Sequence, residues 1–168
     1  QESPETRGRG EMTPKKTARY YLAHPIRIRH TVRQQELVFE KSTGIELLNP
    51  FYDGAEASAI APLDRGEITM KQYSDRLAKT GQADAFVESD LKNIQEADGV
   101  VAVIPGDVPT IGTSMEMWHA YTIRKPVFII TDFPGHIWLR YVAEKSGGAI
   151  VSSFEQLAPK LQRMRRQK

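Results

Sequence analysis

No cysteine occurs in the 168 residues, so neither a disulfide nor a thiolate metal site can be built from this chain. No apolar run approaches the roughly 20 residues that a membrane span needs. Excess charge of one sign is missing as well. With 23 Lys plus Arg against 21 Asp plus Glu, the net charge of +2 is too weak a field to argue for a nucleic-acid polymer as partner. The chain also lacks the Gly-Lys-Ser/Thr of a P-loop and a GxGxxG fingerprint, which takes support from ATP and dinucleotide binding. Together these absences predict a cytoplasmic protein with no membrane contact, no metal and no cofactor.

What is present is the balance of an ordinary globular domain: 40% hydrophobic and 26% charged residues. The length suits one domain with one core. Residues 1–17 are polar and charged with several Gly and Pro, and are expected to form a disordered leader. Arg163, Arg165, Arg166 and Lys168 are expected to form a solvated basic tail over 163–168, leaving a domain over 18–162.

Apolar runs bounded by breakers predict strands at Arg19–Ala23, Ile45–Leu48, Gly99–Ile104, Pro126–Thr131 and Ala149–Val151. Helices are predicted over 30–42, Thr69–Lys79, Asp84–Ala97, Thr113–Arg124, His136–Lys145 and Phe154–Met164. Val87, Leu91, Ile94 and Ala97 are read as the inward stripe of the third of these. The stretch Phe51–Gly66, with small residues, Pro62 and two Gly, is expected to be a long loop. Strand and helix alternate, so the fold class is α/β: a doubly wound, five-stranded parallel sheet in the flavodoxin-like order 2-1-3-4-5. In such sheets ligands bind beyond the carboxyl ends of the strands near the switch point, which selects the loops Ala23–Arg29, Phe51–Gly66 and Pro105–Thr113.

Gly112-Thr113-Ser114 opens a helix there, offering backbone N–H groups to an anion such as a phosphate. Glu116 follows three residues after Thr113. Thr-x-x-Glu reads as a capping box, and equally as a carboxylate kept ionised in the first helical turn, as a nucleophile must be. Asp90 falls on or beside the apolar stripe, where a carboxylate needs a partner or a chemical role. Asp98 is expected to fix the turn into the third strand. In the first loop Arg27 suits a phosphate or carboxylate, and His24 a polar ligand contact. Phe51 and Tyr52 suit stacking on a base, or packing at the rim.

These residues resemble the nucleoside 2-deoxyribosyltransferase family, which includes nucleoside 5′-monophosphate N-glycosidases. The resemblance spans residues 18–131. It runs through Tyr21-Leu22-Ala23-His24-Pro25, then Asp90-Leu91 with Ile94 and Asp98, then Gly112-Thr113-x-x-Glu116 with Ala120, and Lys125-Pro126-Val127. It implies that Glu116 is the nucleophile and that Asp90 assists the base or sugar. The chain departs from the family at His24, where a Gly is usual, and at Thr110, where the transferases carry an Asp toward the sugar 5′-hydroxyl. The monophosphate glycosidases resemble it there, with a hydroxyl residue and an Arg matching Arg27.

The resemblance therefore implies cleavage of the base–sugar bond of a nucleoside 5′-monophosphate through a covalent glycosyl–Glu116 intermediate. Base exchange by a true deoxyribosyltransferase is the first alternative, and a non-catalytic nucleotide-binding module is the second. The expected substrate contacts are His24, Arg27, Phe51, Tyr52, Thr110, Gly112, Thr113 and Ser114. A homodimer or higher homo-oligomer is also expected. Met115, Met117, Trp118, Tyr121 and Ile123 surround more of one helix than a single sheet can bury, and His136, Trp138 and Tyr141 add to that surface.

Overall fold

The computed structural model describes residues 17–167. All but the last residue of the expected leader, and Lys168 of the expected tail, lie outside the described residues. Strands β1 (Arg19–Ala23), β2 (Glu46–Leu48), β3 (Gly99–Ile104), β4 (Val127–Thr131) and β5 (Ala149–Val151) form one parallel sheet in the order β2-β1-β3-β4-β5. This is the expected doubly wound α/β architecture.

The sheet is covered on both faces because its strands alternate two buried sets of side chains. Tyr21, Ala23, Val100, Ala102, Val127 and Ile129 meet α4 (Gln82–Glu96), α5 (Ile111–Thr122) and α6 (Ile137–Lys145). Tyr20, Leu22, Val101, Phe128, Ile130 and Val151 meet α1 (Arg29–Thr43) and α7 (Phe154–Gln167) on the other face. Each fully buried aliphatic side chain contributes about 1.5–3 kcal/mol, so the central strands specify the fold. Asp98 plays the expected part: its Oδ2 accepts from the Arg19 backbone N–H at 3.0 Å and its own N–H donates to Arg19 O, locking the start of β3 to β1.

Four local expectations are corrected. The stretch after β2 is not a structureless loop, since it contains α2 (Ala57–Asp64) with Pro62 inside it. Alternating alanines favour the helix, and Ile60 anchors it to Ile68 and Tyr73, which outweighs the bond that Pro62 cannot donate. α5 begins at Ile111 with Thr110 as its N-cap, so Thr113 is a buried residue inside the helix and forms no capping box with Glu116. The inward stripe of α4 holds only at Ile94 and Ala97, whereas Val87 and Leu91 are 57% and 36% exposed. The last helix runs on to Gln167, so Arg163, Arg165 and Arg166 sit on its final turns rather than in a tail.

α3 (Met70–Thr80) starts at a capping box in which Thr69 and Gln72 satisfy each other's backbone donors. It stops at Gly81, whose φ of 69° also admits the chain to α4. α2 and α3 share a small core of Ile60, Ile68 and Tyr73, against which Ile26, Phe51 and Leu63 pack. Arg29, nearly buried, donates from Nε to Asp64 at 2.6 Å and ties this unit to α1. The result is a wall beside the carboxyl ends of β1 and β2.

Candidate active site

The wall, the loop after β1 and the start of α5 enclose a cavity of about 440 Å³, large enough for a mononucleotide-sized ligand. It lies at the switch point between β1 and β3, as the topology requires. His24, Arg27, Phe51, Thr110, Gly112, Thr113 and Glu116 all line it, so three separate loops deliver expected site residues to one place.

Glu116 sits in the second turn of α5, not the first. Its Oε1 accepts a hydrogen bond from the Tyr21 hydroxyl at 2.7 Å. Burial dominates here over any helix-dipole effect: it pushes the Glu116 carboxyl up to about 8, the Tyr21 bond pulls the other way, and the charges of Asp90 and Glu56 push further up. The expectation of a carboxylate kept ionised by the helix is therefore corrected. Asp90 is pushed up to about 7, by burial first and then by Glu56, with the Tyr21 hydroxyl lowering it. Tyr21 thus stands between two carboxyl groups, and burial and both charges hold its own proton firmly on the phenol. Asp90 is not itself part of the cavity lining and connects to it through Tyr21.

Arg27, also in the cavity lining, is exposed and makes no ion pair among the described residues. Thr110, another lining residue, makes no side-chain cap to α5. The first N–H groups of that helix, at Ile111, Gly112 and Thr113, are thus left for a ligand. Ser114 is not: its N–H donates to Thr110 O at 2.8 Å inside the helix, and it does not line the cavity. Tyr52 is also absent from the cavity, its hydroxyl on His30 Nδ1 at 3.0 Å and its ring under Arg33 at 5.0 Å. Among the described residues no group of three or more His, Asp or Glu side chains has a metal-binding arrangement.

His24 is buried, and burial lowers its pKa to about 4, so it lines the site as a neutral ring. Asn49 Nδ2 donates to Glu36 at 2.6 Å, so its Oδ1 faces His24 Nε2 at 3.1 Å, while the Pro25 carbonyl faces Nδ1 at 3.3 Å; the neutral ring donates to one of these two acceptors. The same Oδ1 accepts from the Phe51 N–H at 3.2 Å, and the Phe51 ring meets His24 edge-on with centroids 5.0 Å apart.

The sequence model of the nucleoside 2-deoxyribosyltransferase family matches residues 21–158. The chain belongs to that family. No curated protein sequence matches it significantly. Among solved structures, a 2-deoxyribosyltransferase from Bacillus psychrosaccharolyticus superposes with a TM-score of 0.57 at 19% identity, covering 84% of this chain and 90% of that one. A conserved protein from Enterococcus faecalis gives 0.57 at 18% identity, over 89% and 99%. A CMP N-glycosidase from Clostridium botulinum gives 0.50 at 16% identity, over 85% and 97%. At these identities the structural likeness establishes the fold, and the family match establishes an enzyme of the deoxyribosyltransferase kind.

Sequence reasoning did not single out Tyr21, Glu56, Tyr73 or Asn49 as parts of this candidate site. Tyr21 was legible by parity: it shares a strand face with Ala23, toward the helix that carries Glu116. Glu56 gave no signal, because the helix that follows it was not foreseen.

The raised carboxyls carry a stability signature. The unfolded chain ionises Glu116 and Asp90 near their ordinary 4.5 and 3.8, while the folded protein holds their protons to about 8 and about 7. Between those limits the folded state binds more protons, so stability falls as pH rises from about 4 to about 8. Glu116→Gln removes its share, worth about 1.4 kcal/mol for each pH unit of that window. Urea unfolding should show the variant gaining on the parent protein between pH 5 and pH 8. An offset equal at both values contradicts the buried acid.

Proposed function

We propose that this enzyme hydrolyses the base–sugar bond of a nucleoside 5′-monophosphate, with Glu116 as nucleophile. One observation carries the reading: a single cavity is lined by a buried carboxyl that accepts from Tyr21, by a guanidinium with no ion pair among the described residues, and by an uncapped helix start. A sugar phosphate bridges those two features, its anomeric carbon at Glu116 and its phosphate at Arg27, Thr110 and the first N–H groups of α5. A neutral hydroxyl at Thr110 accepts a phosphate neighbour, which an acid there would repel.

The chemistry follows from the proton that the two carboxyls share. The resting pair holds its proton more tightly on Glu116, and the reactive arrangement has that proton on Asp90 and a carboxylate at Glu116, which developing positive charge on the sugar favours. Glu116 forms a bond to C1′ as the bond from C1′ to the base breaks, and the electron pair leaves with the base nitrogen, which takes a proton relayed from Asp90 through a water of the cavity. A second water then attacks C1′, its proton returns to the Asp90 carboxylate by the same relay, and Glu116 is freed. The products are the free base and the sugar 5-phosphate. Base exchange, named in the family's description, shares the first half and differs in that a second base replaces water.

We also infer a homo-oligomer. Val87 and Leu91 on α4, Met115 and Trp118 on α5, and Trp138 and Tyr141 on α6 are exposed on one side of the sheet. Ile111 and Ile137 join them at 77% and 76% exposure, and Ile111 also lines the cavity, so a second copy on this face adjoins the site.

Three measurements test these readings. Incubation with nucleosides and their 5′-monophosphates, with and without a second base, should release free base from the monophosphates whether or not an acceptor is present. Arg27→Ala should cost about 1.5–3 kcal/mol in apparent affinity for a monophosphate and leave the matching nucleoside nearly unchanged. Equal losses for both contradict phosphate recognition. Light scattering at low micromolar concentration should give a multiple of the 19.0 kDa chain mass, and a monomeric mass overturns the assembly.

A further inference from the structure

The proposed reaction does not use one acid of the cavity. Glu56 precedes α2 at its N-cap position, yet its side chain makes no capping bond. Instead its Oε1 accepts the Tyr73 hydroxyl, and its other oxygen has no hydrogen-bond partner among the described residues. Glu56 and Tyr73 both line the cavity together with Glu116. Part of the cavity wall beside them is apolar: Ile26, Phe51 and Tyr73 belong to one hydrophobic cluster. An aromatic and aliphatic wall suits a heterocyclic base, and Arg27 suits the phosphate, so the base is seated against Tyr73 and Glu56.

We propose that Glu56, held by Tyr73, selects the leaving base by accepting a hydrogen bond from its exocyclic amino group, so that amino bases are preferred over their oxo counterparts. The inference rests on the proposed nucleotide reading and adds to it the class of base. Cytosine and adenine present an amino donor next to a ring-nitrogen acceptor. The free oxygen of an ionised Glu56 accepts from the amino group. Uracil and hypoxanthine present a carbonyl oxygen at the same position, which faces the carboxyl oxygen with like partial charge. Tyr73 makes the contact directional, because its hydroxyl occupies Oε1 and leaves the second oxygen for the base.

The test is an amide swap. In Glu56→Gln the Tyr73 donor keeps the amide oxygen, so the NH₂ group faces the cavity and offers a donor where an acceptor stood. Cytidine and uridine 5′-monophosphate, and adenosine and inosine 5′-monophosphate, are titrated calorimetrically into protein carrying Glu116→Gln, which stops turnover. In that background the amino member of a pair should bind about tenfold or more tightly, the scale of one hydrogen bond to a charged group. Adding Glu56→Gln should reduce the ratio by about tenfold or more, with thermal melting used to check the fold. Tyr73→Phe, which lets the carboxyl turn, should give an intermediate ratio. Equal binding within both pairs, or a ratio that survives Glu56→Gln, overturns the proposal. No binding of any of the four overturns it together with the nucleotide reading. Base release by the parent protein reports on the reaction alone, and its absence leaves the binding ratios to decide this contact.

Discussion

The hydrogen bond from Tyr21 to Glu116 is the constraint on which the site depends. Tyr21 is fully buried in the strand flanked by β2 and β3, so its phenol needs a partner within the protein. Glu116 supplies it from α5, and in doing so is drawn out of water and up to about 8. The fold therefore carries a carboxyl that it would hold more easily as an amide. That cost is the ordinary mark of a functional group tuned by burial. It also explains why Asp90 has to be close: two acids sharing one phenol can hold a proton between them, and neither has to be fully charged in a dry cavity.

The rest of the architecture serves to place a ligand against that pair. His24 directly follows β1 and faces Asn49 Oδ1, and Asn49 in turn is held by the buried Glu36. One amide oxygen thus meets both His24 and Phe51 and ties the loops after β1 and β2 together. α5 presents its uncapped start to the same cavity. The same lining carries the acids Glu56 and Glu116 and the cation Arg27, and in the proposed reading the phosphate of the ligand meets the cation.

Much of this was legible in the residues. The strand order followed from alternation of strand and helix, Arg27 and Glu116 from their places at or just after loops beyond the sheet, Asp90 from its place beside an apolar stripe, and Thr110 from the family resemblance alone. What was hidden was hidden for physical reasons. Pro62 and the small residues around it mask α2, because its stability comes from Ile60 packing on Tyr73 rather than from a periodic stripe. With α2 hidden, Glu56 had no place. The first turn of α5 was misplaced by two residues because Thr113 looks like a cap. Its burial shows that tertiary packing, not capping, is what it serves. Val87 and Leu91 follow the helical period yet face outward, since periodicity cannot distinguish a sheet from a second copy as the apolar partner.

The account's central claim is that Glu116 itself bonds to the sugar. Rapid acid quench of the enzyme mixed with a nucleoside 5′-monophosphate, followed by peptic digestion and mass spectrometry, tests it most directly. The expected result is a sugar-phosphate adduct on the peptide containing Glu116, formed with release of the base and lost on longer incubation. Base release with an adduct on another residue, or with Glu116→Gln as active as the parent protein, contradicts it.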